Sequence, residues 1–259
     1  TGGIMNIETK SFPDEKFVAF SLGTSYNPQM HFNSNFLTYE GGSTDFLGFD
    51  DGTRALPLGA DDVEIPTPIS GHSDAEVNDF IESFNPTLAA ARSNSLMDYS
   101  AGFSFGNQID VKRERERENE GAYSPKLGYI FSLSYKTGYE FYDDVIYGEY
   151  QRPIESSVNE MRYATIQEGS IGKRNVLIGT LGGLAYKTLS SKYRLTLMHL
   201  QNGESTAGRF NIDNNGEAVG QSGYIAASDI LEYNQRSLTN ALLGGTHNFE
   251  ATKWKLDWV

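Results

Sequence analysis

The stretch DYSAGFSFGNQIDV (98–111) decides the fold, because its side chains alternate in character residue by residue. Tyr99, Ala101, Phe103, Phe105, Asn107, Ile109 and Val111 share one side. Ser100, Gly102, Ser104, Gly106, Gln108 and Asp110 share the other. Successive side chains of an extended backbone point to opposite faces, so a period of two predicts a β-strand with one aromatic face and one polar face. The same pattern recurs in FVAFSLGTSY (17–26), LGYIFSLSYK (127–136), YRLTL (193–197) and the closing Trp254, Leu256, Trp258 set. Strands are expected near 17–27, 98–112, 126–142, 174–188, 192–205, 236–248 and 253–259. They form one meandering antiparallel sheet, with residues 28–40 extending or following the first strand.

Composition agrees with an all-β chain. The 259 residues include 15 Tyr, 15 Phe and 27 Gly but only 8 Pro, which suits strands and turns. Hydrophobic residues make up 38% and mean hydropathy is −0.45, low for a compact enzyme. The formal net charge of −13 leaves no basic stripe for phosphates, so nucleic acid is excluded as a partner and docking on anionic lipid is disfavoured. There is no cysteine, hence no disulfide or thiolate metal site. No apolar run approaches the ~18 residues of a membrane helix, a test that does not bear on membrane β-barrels.

Alternation leaves two architectures open. In a soluble sandwich the aromatic face points into a core. In a membrane barrel it points to lipid and the polar face lines a wet lumen. Tyr26, Tyr99, Tyr135, Tyr193, Trp254 and Trp258 near the strand ends lean toward an interfacial girdle. The links are also unequal. TLSSKY (188–193) and FEATKW (249–254) read as tight hairpins, whereas 40–97, 143–172 and 201–235 read as long irregular loops. Short turns at one end and long loops at the other are the pattern of an outer-membrane barrel, with the long loops outside the cell. A turn at Tyr26-Asn27-Pro28 would reverse that sidedness.

Inside the first long link, SGHSDAEVNDFIESFNP (70–86) carries a helix signature. Ser73 and Glu76 fit a capping box, Val77, Phe80, Ile81 and Phe84 follow at helical spacing, and Asn85-Pro86 stops the helix. VKRERERENEGAYSPK (111–126) interleaves Lys112, Arg113, Arg115 and Arg117 with Glu114, Glu116, Glu118 and Glu120 and reads as a solvated hairpin tip. Little looks catalytic. The four histidines are far apart, and there is no P-loop or nucleophile elbow. Asp50-Asp51 with Asp61-Asp62 could pair as a glycosidase acid and base or hold Ca²⁺, but they lack the spacing of an EF-hand loop.

Two stretches resemble TonB-dependent outer-membrane receptors of the Bacteroidetes type. TGGIMNIETK, through Gly2, Gly3, Ile4, Asn6, Ile7, Thr9 and Lys10, resembles the strand that closes the plug domain before the barrel. YEGGSTDFLGFDDGTRALP (39–57), through Asp45, Phe46, Leu47, Gly48, Phe49, Asp50, Asp51, Gly52, Arg54, Leu56 and Pro57, resembles the first-loop region of such receptors. The resemblance implies that residues 1–12 are the last plug strand and that 13–259 are the N-terminal portion of a 22-stranded barrel. The chain would then be a fragment forming an open, curved sheet with one short helix in a long loop. Phe103, Phe105, Tyr129, Phe131, Leu195 and Trp254 are expected on the convex face, and Ser104, Gly106, Ser132, Ser134, Arg194 and Lys255 on the concave one. It further implies an outer-membrane location, no covalent chemistry, no cofactor, and import of a scarce large solute (siderophore, vitamin, glycan or peptide) driven through the TonB complex. Some such receptors also pair with a surface lipoprotein. The alternative from another class is a secreted or periplasmic β-sandwich that binds glycans.

Overall fold

The computed structural model describes residues 13, 15–57, 65–111, 124–153, 157–215, 223–249 and 253–259. The plug-end motif (residues 2–10), the charge run at 112–120 and the Asp61-Asp62 pair lie outside the described residues. Seven strands form one antiparallel sheet: β1 (Phe17–Ser25), β4 (Asp98–Asp110), β5 (Lys126–Gln151), β6 (Arg162–Lys187), β7 (Ser191–Asn214), β8 (Tyr224–Phe249) and β9 (Trp254–Trp258). They neighbour one another in chain order, so the expected meander holds. The sheet does not close: β1 and β9 each have one hydrogen-bonded neighbour. Two short strands, β2 (Phe36–Thr38) and β3 (Ala91–Ser93), pair separately within the long β1–β4 connection.

Register fixes the faces. Phe103 pairs with Phe20 and Leu133, and Phe105 with Val18 and Phe131. Leu184 pairs with Tyr129 and Leu195, and Leu195 with Leu243. All of these, with Leu256, Trp254 and Trp258 of β9, lie on one face. Ser104 pairs with Ser132, Gly106 with Ile130, Ser134 with Gly179, Arg194 with Gly244 and Lys255 with Asn248, on the other. These partners follow from the alternation, because a slip of one residue would exchange the faces of a whole strand.

Three expectations need correction. First, the segments read as loops at 143–172 and 201–235 are mostly strand: β5 and β6 run 26 residues each, β7 24 and β8 26. A 26-residue strand extends about 85 Å at ~3.3 Å per residue. Beyond Phe141 the alternation disappears because polar residues occupy both faces. The ladder needs only backbone groups, so it continues through Asp143-Asp144 with a register shift there. Second, of the two arrangements expected for residues 28–40, extension of β1 fails and following it holds. The chain turns at Asn27, whose carbonyl accepts from Met30 and His31, and then enters β2. This turn leaves the strand parity unchanged, since β1 pairs directly with β4. Third, most strand ends differ from those expected: β1 stops at Ser25 and β4 at Asp110, while β6 starts at Arg162 and β8 at Tyr224.

The helix signature is realised as α1 (Asp74–Glu82). Ser73 Oγ accepts from Glu76 N while Glu76 Oε2 accepts from Ser73 N, the reciprocal box that satisfies two otherwise unpaired amides. Those bonds hold the exposed Glu76 carboxyl below its usual pKa, the Ser73 amide contributing most. Val77 is buried and Phe80 meets Phe84 edge to face. The 188–193 hairpin is closed by Thr188 N donating to Ser191 O.

Candidate functional site

The sheet's ends are unequal, and the site sits at the long-link end, here called upper. Along the lower part of the aromatic face, Phe20, Leu133, Leu184, Leu197 and Leu243 stay exposed. Tyr99 and Tyr135 stack at its upper limit with centroids 5.8 Å apart. Tyr186, Tyr193 and Trp258 line up at its lower limit. His199 and Thr239, opposite one another in this zone, join by a 2.7 Å hydrogen bond and so reduce the polar surface they present.

Above Tyr135 the same face is covered by described residues of the 26–97 connection. Phe36 and Leu37 pack with Tyr139, Phe141, Ala90 and Ala207 in the main apolar cluster. Gly172 lies directly beneath Leu37; a Cβ there would stand 2.1 Å from the Leu37 carbonyl, so only glycine admits this approach. At the entrance, the Asn27 amide donates to His31 Nδ1, which leaves the proton on Nε2 to donate to Asp98 Oδ1. The same Asp98 oxygen accepts from the Tyr139 amide.

The 39–57 motif seats on this upper zone as a folded unit. A 3₁₀ turn (Asp45–Leu47) ends at Gly48, whose φ of 75° needs glycine. Gly48 lies against Gly203, and its carbonyl accepts from the buried Gln201 amide. Tyr135 OH donates to Phe46 O, and Asp50 N donates to Gln235 Oε1. Arg54 organises the centre. Its guanidinium donates to both Asp45 oxygens and to Asp50 Oδ1, its Nε donates to Tyr39 OH, and its plane lies 4.1 Å over the Tyr233 ring. Partial burial works against its charge, but the Asp45 bonds, with Tyr39 and Asp50, outweigh this and raise its pKa. Asp51 accepts from the Thr53 and Ser43 hydroxyls and amides, which hold its carboxyl well below the ordinary range, the Thr53 hydroxyl first.

The motif residues therefore come together, but as a lock on the wall rather than a reactive centre. Asp50 and Asp51, considered for Ca²⁺ or glycoside chemistry, are committed to Arg54 and to the Ser43–Thr53 turn. Among the described residues no group of three His, Asp or Glu side chains is placed to hold a metal. Phe46 and Leu56 remain exposed. The motif's anchor points were not legible in the sequence: Gln201, Gly203, Tyr233 and Gln235 lie in the stretch that reads as a loop, and their only signal is a run of small and amide residues.

The polar face carries its own feature. Leu177, Leu181, Met198, Leu200, Leu238 and Leu242 lie on it across β6–β8, interrupting Ser134, Asn202, Arg194 and Asn240. Above them Lys136, Glu140, Lys173, Asn175 and Glu204 line a shallow polar depression of about 230 Å³. Comparison of the chain with protein-family models, with curated proteins and with solved structures finds no match.

Proposed function

We propose that the chain forms part of the wall of an outer-membrane β-barrel transporter of the TonB-dependent type. The aromatic face is the outer one and the polar face lines the lumen. The observation that carries this reading is the division of one sheet face into a bare apolar lower zone and a protein-covered upper zone. From Leu127 to Tyr135 the lower zone spans about 26 Å along the strand at ~3.3 Å per residue, or about 20 Å along the membrane normal at a ~40° tilt, against the ~25 Å apolar band of outer-membrane barrels. Aromatic residues stand at both of its limits, where interfacial rings belong. The upper strands project beyond it into water, where polar residues on both faces cost little.

Unpaired backbone groups in hydrocarbon cost several kcal/mol each, so a membrane wall needs further strands on both edges, as a 22-stranded barrel supplies. The leucines on the lumen side call for a folded occupant, the role a plug domain fills and through which TonB would draw energy for uptake of a scarce large solute. The long-link end, with the 39–57 motif seated on it, is then extracellular. The sandwich alternative has less support: the second sheet among the described residues is two three-residue strands, and it covers the upper zone, leaving Phe103, Phe131 and Leu195 without a facing layer.

Fractionation of cells that make the native gene product tests the reading. A barrel stays in the outer-membrane pellet through high salt and alkaline carbonate, and migrates faster on gels before heating than after. Recovery as a detergent-free soluble monomer would overturn it.

A further inference from the structure

We infer that the 46–50 stretch of the motif is a membrane-interface belt, seated in the headgroup–acyl boundary of a zwitterionic lipid surface. It completes the upper aromatic ring with side chains that the strands do not supply. This role rests on the lipid-facing assignment of the lower zone. The belt crosses the sheet at one height. Tyr135 OH on β5 donates to Phe46 O, the Gln201 amide on β7 to Gly48 O, and Asp50 N to Gln235 Oε1 on β8. Tyr135, Ile178 and Gln201 lie in one cross-strand row, and Val176, Gly203 and Gln235 in the next row up. These rows form the upper limit of the bare apolar zone, level with the Tyr99–Tyr135 pair.

The strands run out of aromatics at that height. At the lower limit β6, β7 and β9 supply Tyr186, Tyr193 and Trp258. At the upper limit β4 and β5 supply Tyr99 and Tyr135, but β6, β7 and β8 present only Val176, Ile178, Gln201, Gly203, Gln235 and Ser237. Phe46, bonded to β5, and Phe49, between the β7 and β8 anchors, stand in this gap and are 52% and 39% exposed. Phe side chains sit favourably at the headgroup–acyl boundary, where the Tyr and Trp of membrane strands also gather. Left in water, the two rings would instead enlarge the apolar patch that begins just below them.

The backbone of the belt points the same way, independently of its side chains. Irregular chain is tolerated near hydrocarbon only where its polar groups are bonded within the protein. Phe46 O, Leu47 N, both groups of Gly48, both groups of Phe49 and Asp50 N are all bonded in this way, to the wall or to Thr44 and Asp45. Charge then selects the lipid. Residues 39–57 hold four carboxylates, Glu40, Asp45, Asp50 and Asp51, against the single Arg54 guanidinium, so an anionic surface would repel them and a zwitterionic one would not.

The test uses the native gene product in phosphatidylcholine vesicles, with single spin labels in a cysteine-free background. Labels at Phe46→Cys and Phe49→Cys are compared with Phe131→Cys as the bilayer reference and Glu82→Cys, exposed on α1, as the water reference. The labels at 46 and 49 should meet more oxygen and less of a water-soluble nickel chelate than that at 82, and less oxygen than that at 131. Phe46→Trp and Phe49→Trp keep a large ring in place and guard against a label that unseats the belt. The fluorescence each adds to the parent should be quenched more by phosphatidylcholine brominated near the headgroup end of its chains than by lipid brominated near the chain ends. Nickel access at 46 and 49 equal to that at 82, with 131 still in lipid and both tryptophans unquenched, would overturn the belt and leave the membrane reading standing. Low collision with both oxygen and nickel at 46 and 49 would mean that a protein partner or a second copy covers them, and would also overturn it. Nickel access at 131 would remove the membrane reading and the belt together.

Discussion

Leu133 and Phe141 stand on the same face of the same strand, eight residues apart, yet Leu133 is 41% exposed and Phe141 6%. Nothing in the strand differs between them; what differs is the cover. Phe141 lies under β2, packed on Phe36, whereas Leu133 faces outward in the bare zone. The upper half of the face is thus an ordinary protein core one layer thick, held by apolar burial and by the Arg54-centred lock. The lower half is an exposed apolar face, which on the proposed reading meets lipid.

The largest expected effect separates these two environments directly. If the lower zone faces lipid as proposed, Phe105→Arg there should destabilise the fold by about 2–4 kcal/mol, the cost of a cation near the bilayer midplane. Ile225→Arg, on the same face but far up β8 and 85% exposed, should change stability by no more than about 0.5 kcal/mol. Reversible unfolding from lipid vesicles measures both. Equal effects would remove the distinction between the halves.

Two substitutions sharpen the comparison from the upper side. Arg54→Met strands Asp45 and Asp50, whose side chains are only 16% and 33% exposed, and should loosen the motif by about 1–3 kcal/mol once solvent screening is allowed for. Arg54→Lys keeps the charge but not the fork and should recover only part of this. Gly203→Val would set a Cβ 2.5 Å from Gly48 Cα and should cost about 1–3 kcal/mol through the forced separation. Limited proteolysis within 39–57 reads both, while the lower zone stays protected.

Acid should loosen two segments of the upper half. Asp51 and Glu76 titrate below their ordinary values in the fold. Their contribution is complete above the unfolded carboxyl range, near pH 4, and is lost as pH falls toward the folded values. Hydrogen exchange of residues 43–53 and 73–83 should therefore accelerate below about pH 4, with β5 amides at 127–135 unchanged. The smallest effect is Ser73→Ala, about 1 kcal/mol confined to α1 and visible as fraying of its first turn.

Much of this was legible in the sequence where a strand has one apolar and one polar face. Phe103 and Ser104 sort themselves because one side of the sheet is apolar and the other polar, and α1 declares itself through Ser73 and Glu76. Legibility failed where both faces meet water: Asp143, Asp144, Asn211 and Asp213 carry no period, although their backbone amides extend the same ladder. The motif was recognisable as a unit, but its seat was not, since Gln201 and Gly203 act through an amide and through the absence of a side chain.

Accessibility of single spin labels along β5 tests the central claim most directly, and the absence of native cysteine makes the variants clean. Labels at Phe131→Cys, Ser132→Cys and Phe141→Cys are compared for collision with oxygen, which concentrates in the bilayer, and with a water-soluble nickel chelate. The label at 131 should meet oxygen and exclude nickel, that at 132 should meet nickel, and that at 141 should be shielded from both. Nickel access at 131 equal to that at 132, or shielding at 131 like that at 141, would contradict a lipid-facing lower zone.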